Sequence, residues 1–180
     1  MTNQLTDIGA MPSAEALFER LKKGVLDLIQ GLDPETVHLV GIHSGGAWLA
    51  ERLHRELALP TELGTLDISF YRDDFDRIGL HSQVIPSDIS FPVADRHLIL
   101  VDDVLYTGRT IRAAMNELFD YGRPASIRLV VLVDRGGRQL PVCADYAAWQ
   151  ITDPSPDSLV LARDQGGTFS LHIESEAPDA

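Results

Sequence analysis

The sequence predicts an α/β fold, a central and mostly parallel sheet flanked by helices, with a long loop at one side and a small C-terminal hairpin. Apolar stretches of strand length alternate with stretches of helical period, as in sheets whose strands are joined by crossover helices. The chain has 180 residues and is 44% hydrophobic, enough to fill one core. Two short strand-like stretches then follow a Pro/Ser/Asp cluster near the C-terminus and are separated by a glycine pair, which predicts a hairpin.

The elements can be taken in order. Leu17, Leu21, Val25, Leu28 and Ile29 recur at helical spacing from Ser13 to about Gln30, with Ser13 as N-cap and Gly31 as the stop. Val37 to Ile42 is a buried strand, and the flexible His43-Ser44-Gly45-Gly46 leads into a helix over about Ala47 to Leu57. Thr65 to Tyr71 alternates apolar and polar residues as a strand does. Residues 73 to 90 lack periodicity and are expected to form a mobile loop, and loops of such length tend to be lids or binding loops. A strand at 97 to 101, a helix at about 109 to 121 closed by Gly122, and a strand from Ile127 to Val133 follow. The pattern then weakens through Arg-Gly-Gly-Arg and a short Pro141 to Tyr146 segment. Leu159 to Ala162 and Thr168 to Ile173, around Gly166-Gly167, form the expected hairpin, and the acidic tail over 174–180 is expected to fray. One domain spanning 1–180 is expected.

Composition excludes some functions. Cys143 is the only cysteine, so neither an intrachain disulfide nor a cysteine-rich metal cage can form. The opening residues lack a secretory pattern and no apolar run approaches the roughly 20 residues of a bilayer span. A cytoplasmic protein without membrane contact is expected. A formal charge of −12 opposes nonspecific attraction to nucleic acid.

The chemistry is concentrated at residues 98 to 110, Leu-Ile-Leu-Val-Asp-Asp-Val-Leu-Tyr-Thr-Gly-Arg-Thr. In an open α/β sheet, ligands bind beyond the carboxyl ends of the strands, and this strand brings Asp102 and Asp103 to that edge. The turn that follows leads into a helix whose unpaired amides and positive dipole end favour a phosphate, with Gly108 permitting close approach. Paired carboxylates suit vicinal ribose hydroxyls, and threonine hydroxyls and amides suit a 5′-phosphate. A Walker A loop needs Gly-Lys-Ser/Thr, whereas Gly108 precedes Arg109, and the Asp-x-Asp spacing of a haloacid-dehalogenase motif is absent.

This run resembles the ribose-phosphate signature of type I phosphoribosyltransferases. Further stretches, Asp67 to Asp74, Tyr121-Gly122-Arg123-Pro124, Leu132 to Gly136, Leu140-Pro141 and Ala144-Asp145-Tyr146, are similar to the PyrR family of pyrimidine-operon regulators that are also uracil phosphoribosyltransferases. The likeness runs from about residue 13 to 152. It implies the type I phosphoribosyltransferase fold, with a mobile lid and a small C-terminal hood. It also implies transfer of the phosphoribosyl group of 5-phosphoribosyl 1-diphosphate (PRPP) to uracil, giving UMP and pyrophosphate, with Mg²⁺ carried on PRPP. A homo-oligomer, dimer or tetramer, is expected, and RNA is a candidate partner.

The resemblance also suggests residue roles. Asp102 and Asp103 are the candidate catalytic residues at the ribose. Val104, Leu105, Tyr106, Thr107, Gly108, Arg109 and Thr110 are the candidate 5′-phosphate cradle. His43, Ser44 and Gly45 align with the pyrophosphate loop, where a lysine and an arginine are expected at the positions of His43 and Gly45. An arginine restored at 45 is therefore expected to raise turnover, and His43 is either a pyrophosphate contact or a plain loop histidine. Val133, Asp134 and Arg135 end a strand where the base is held, with an ordinary ion pair to Arg135 as the alternative reading of Asp134. Arg72, Asp73 and Asp74 either reach pyrophosphate or Mg²⁺ from the lid or form a solvated charge cluster. No residue is assigned as a direct metal ligand. Cys143 and Trp149 stand where the family's RNA surface is expected to be basic, which leaves Arg123, Arg135, Arg138 and the Arg20/Lys22/Lys23 group as candidate RNA contacts.

Overall fold

The structure, a computed structural model, describes residues 11–68, 86–151 and 158–174. Helix α1 (Ala14–Ile29) begins where the sequence places it, because Ser13 is extended and its Oγ accepts from the Ala16 amide at 3.2 Å. A 3₁₀ turn capped by Asp33 leads into β1 (Val37–Ile42). Then come α2 (Gly45–Leu57), β2 (Gly64–Leu66), β3 (His97–Leu105), α3 (Arg109–Tyr121), β4 (Ser126–Asp134) and β5 (Tyr146–Gln150). β6 (Ser158–Arg163) and β7 (Phe169–Glu174) close the described chain as an antiparallel hairpin.

The main sheet has the order β2-β1-β3-β4-β5, and every pairing in it is parallel. Its strands are apolar on both faces, as a sheet covered on both sides requires. Residue parity sorts the core into two layers. Val37, Leu39, Ile99, Val101, Val130 and Leu132 pack with α1 and α2, while Val40, Ile42, Leu98, Leu100, Leu129 and Val131 pack with α3. Against α1, Gly24 lets the Tyr146 ring approach so closely that a Cβ would stand 2.4 Å from it.

Several boundaries differ from the sequence expectation. β3 continues past Val101 to Leu105 because Asp102, Val104 and Leu105 stay in register with Val131, Val133 and Asp134. The two acids therefore belong to the strand, and the turn begins at Tyr106. α2 begins at Gly45 rather than Ala47, and β2 ends at Leu66 within the described residues. The sequence pattern marks no strand after the short Pro141 to Tyr146 segment, yet β5 starts at Tyr146 and carries Trp149 opposite Val133. Of the loop expected at 73 to 90, residues 73–85 lie outside the described residues, while Asp88 bridges Thr65 in antiparallel fashion. Of the tail expected over 174–180, only Glu174 is described, as the last residue of β7.

The C-terminal hairpin is bound to the helical layer through Arg52. Its guanidinium lies 4.2 Å from the Phe18 ring and 5.3 Å from the Phe169 ring, and it donates to Glu15 and Glu56 at 2.8 Å each. Glu15 also accepts from the Phe169 amide, and Arg163 bonds Glu51. The Arg52 guanidinium holds the Glu15 carboxyl below the usual carboxylate range, and Lys22 with Arg52 does the same for Glu56. This anchoring brings the start of β6 to the carboxyl edge of the main sheet.

Candidate active site

At that edge lies a cavity of about 480 Å³ lined by Asp102, Val104 to Ile111, Arg135, Gln139, Ser158 and Leu159. The whole predicted phosphate cradle is on its wall, together with one of the two predicted acids and one of the three predicted base residues. Asp102 is buried at 3% exposure, and its Oδ1 accepts from the Asp103 amide at 3.0 Å. Asp103 in turn accepts from the Val104 amide at 3.0 Å. Each acid is thus oriented by the backbone that follows it, and the pair sits rigidly at the end of a central strand.

The cradle follows from local chemistry. Gly108 is the N-cap of α3 at φ +90°, a conformation that penalises a side chain, and an added Cβ would meet Val142 at 3.2 Å. The Thr107 hydroxyl accepts from the Arg109 amide at 3.3 Å. The N-cap, Gly108, has no side chain to cap the helix, so beyond the Arg109 amide held by Thr107 the first-turn amides are available as donors for an anion.

A second segment, 134–142, closes over the cradle. The Gln139 and Leu140 amides donate to the Thr107 carbonyl at 3.0 and 3.2 Å, the Arg135 amide donates to the Leu105 carbonyl at 2.9 Å, and Arg109 Nε donates to Gln139 Oε1 at 2.9 Å. Arg135 lies 4.3 Å from the Tyr106 ring centroid. Gln139, Ser158 and Leu159 are wall residues that sequence reasoning misses. No local pattern marks Gln139, and the two hairpin residues reach the cavity through tertiary packing, with Leu161 and Phe169 in the core beside α1 and α2 and Arg52 packing across onto the hairpin at Phe169.

The other predicted site residues are placed as follows. Val133 is fully buried opposite Trp149. Asp134 pairs with Arg138 at 2.6 Å and accepts from the Gly136 amide at 2.9 Å, so its ion pair is with Arg138 and not Arg135. Neither Val133 nor Asp134 lines the cavity. His43 bonds through its amide to the Leu66 carbonyl, and its buried Nε2 has no hydrogen-bond partner among the described residues. Ser44 is exposed beside it. Arg72, Asp73 and Asp74 lie outside the described residues.

Gly45 lies directly against the side chain of Asp103. A Cβ there would stand 2.3 Å from Asp103 Oδ2 and 2.6 Å from its Cγ. A side chain at 45 would therefore require the Asp103 side chain to shift. The missing side chain is what lets the loop after β1 lie against the end of β3.

Residues 6–157 match the phosphoribosyl transferase domain family. The chain is 52% identical over 148 residues to the bifunctional protein PyrR of Nitrosococcus oceani, covering 81% of this chain and 83% of that protein. It is 47% identical over 178 residues to the bifunctional protein PyrR of Ralstonia nicotianae, covering 99% and 98%. Among solved structures, a hypoxanthine phosphoribosyltransferase from Staphylococcus aureus superposes with a TM-score of 0.62 at 20% identity, covering 86% of this chain and 85% of that one. A hypoxanthine-guanine phosphoribosyltransferase from Bacillus anthracis gives a TM-score of 0.61 at 21% identity, covering 78% and 80%.

Proposed function

The chain belongs to the phosphoribosyltransferase family, among the bifunctional PyrR proteins, and on that premise we propose that it transfers the phosphoribosyl group of PRPP to uracil. The observation that carries the proposal is the cavity in which a buried carboxylate and a glycine-capped helix N-terminus lie a few residues apart on one wall. The 5′-phosphate would sit on the amides from Tyr106 to Thr110, and Asp102 and Asp103 would accept from the ribose hydroxyls. Arg135, Gln139, Ser158 and Leu159 then bound the side left for the base.

Departure of pyrophosphate leaves an oxocarbenium-like ribose, so such a site needs to position reactants and stabilise separated charge more than it needs a strong nucleophile. The two acids serve both ends, orienting the sugar and facing the positive charge that develops on it. The oxygen donors of Asp102 and Asp103 also fit Mg²⁺, which takes one or two carboxylates and completes its shell with substrate oxygens and water. Among the described residues no cluster of three or more His, Cys, Asp or Glu could hold a metal by itself. When bound, that ion would neutralise charge on the leaving pyrophosphate.

The test is incubation with PRPP, Mg²⁺ and, separately, uracil, hypoxanthine, guanine and orotate, followed by separation of the nucleotides. UMP from uracil alone is the expected result, and no nucleotide from any base would sink the transferase proposal. A second function, a UMP- or PRPP-responsive regulator with weak turnover, is favoured by Gly45, which leaves the loop after β1 without an arginine. Direct binding of UMP in the absence of turnover would support it.

A further inference from the structure

We propose that Arg138 is a positioning residue that locks the base side of the cavity to its phosphate side, so that the two halves bind one nucleotide as a single preformed body. The sequence places Arg138 among candidate RNA cations, but the structure turns its guanidinium inward. Nη2 pairs with Asp134 Oδ2 at 2.6 Å, Nε donates to the Val142 carbonyl at 2.8 Å, and Nη1 donates to the Tyr106 carbonyl at 2.7 Å and the Gly136 carbonyl at 3.1 Å. Three of these partners lie in the 134–142 segment and one in the phosphate turn.

The geometry suits arginine alone. A planar fork can serve acceptors on three sides at once, whereas a lysine ammonium is a point charge that reaches only part of the set. Asp134 contributes by holding the fork: with one oxygen on Arg138 and the other on the Gly136 amide, it orients the guanidinium toward Tyr106. Arg138 touches none of the cavity's contents, since it is absent from the wall. It acts through Tyr106 and through Arg135 and Gln139, which flank it in the chain and do line the cavity.

The ligand part of this inference rests on the proposed uracil chemistry, so its test has one arm that does not. In the ligand-free chain, amide hydrogen exchange is compared between wild type, Arg138→Gln and Arg138→Lys. Faster exchange in both 104–110 and 134–142, with α1 and β1 unchanged, is expected for Arg138→Gln, and a smaller change for Arg138→Lys. Unchanged exchange at 104–110, or a rise spread evenly over the chain, would overturn the lock. In the second arm, calorimetry with UMP and with inorganic pyrophosphate is expected to show UMP affinity falling roughly tenfold or more, as misplacement of binding groups entails, with pyrophosphate affinity little changed. Equal loss of both ligands, or intact UMP affinity despite faster exchange, would overturn the positioning role. If wild type binds no UMP, the uracil proposal fails while the exchange arm still decides the lock.

Discussion

Gly45 and Asp103 are packed so closely that the glycine has no room for a side chain: the Cβ it lacks would lie 2.3 Å from Asp103 Oδ2. The contact joins the loop after β1, predicted to face pyrophosphate, to the acid predicted to hold ribose.

Gly45→Ala and Gly45→Arg are therefore both expected to weaken UMP and PRPP binding. Losing one well-aligned hydrogen bond to a charged group costs about 1.5–3 kcal/mol, or roughly a tenfold to hundredfold loss of affinity. Calorimetric titration checks this. Tighter binding and faster turnover in a folded Gly45→Arg protein would mean that Asp103 tolerates displacement and that a cation in this loop outweighs it.

Asp102→Asn and Asp103→Asn are expected to fold and to lose affinity for ribose phosphates, because an amide offers hydroxyl donors only one acceptor oxygen. Asp102 is the more deeply buried, at 3% exposure and with its Oδ1 already on the Asp103 amide, so Asp102→Asn should also lower the urea midpoint while Asp103→Asn leaves it nearly unchanged. UMP affinity equal to wild type in both variants would remove the ribose assignment.

Binding to pyrimidine-operon leader RNA is expected to be weak and only shallowly dependent on salt. Arg138 spends its donors inside the protein, Trp149 packs against the core beside Val133, and the chain carries a formal charge of −12. Few cations remain to displace counterions, and the slope of log affinity against log salt scales with the phosphates neutralised. Fluorescence titration across a salt series, with and without UMP, measures it. A steep slope with nanomolar affinity at physiological salt would locate an RNA surface elsewhere on the chain.

Acidification is expected to destabilise the fold in a window set by His38. Its ring is buried at 5% exposure, stacks on Phe91 at 3.8 Å, and bonds through Nδ1 to the Glu62 carbonyl. Burial pushes its pKa below the usual 6.5. The unfolded chain then takes up this proton more readily than the folded one, so the contribution is full above pH 6.5 and declines as pH falls from there through the folded value. Urea unfolding at several pH values should show that decline in wild type and a flatter profile in His38→Asn. Identical profiles would assign the acid sensitivity to other groups.

Much of the architecture is legible in the sequence because it rests on local regularities. The Ser13 cap, the helical spacing of Leu17, Leu21 and Val25, the apolar runs of β1 and β4, and the acids and turn at 102–110 are properties of neighbouring residues, and periodicity or motif chemistry reads them directly. β5 escapes such a reading since Tyr146-Ala-Ala-Trp-Gln carries little apolar contrast and becomes a strand only by lying beside β4. The partner of Asp134, Arg138 instead of Arg135, is equally out of reach, as are the wall positions of Gln139, Ser158 and Leu159. So is the contact of Gly45 with the Asp103 side chain. Residue order alone thus sets the succession of strands and helices and the chemistry of the phosphate turn. Which distant segments close that turn into a cavity is settled by tertiary packing, since it brings together residues far apart in the chain, and no local pattern encodes how near two backbones come.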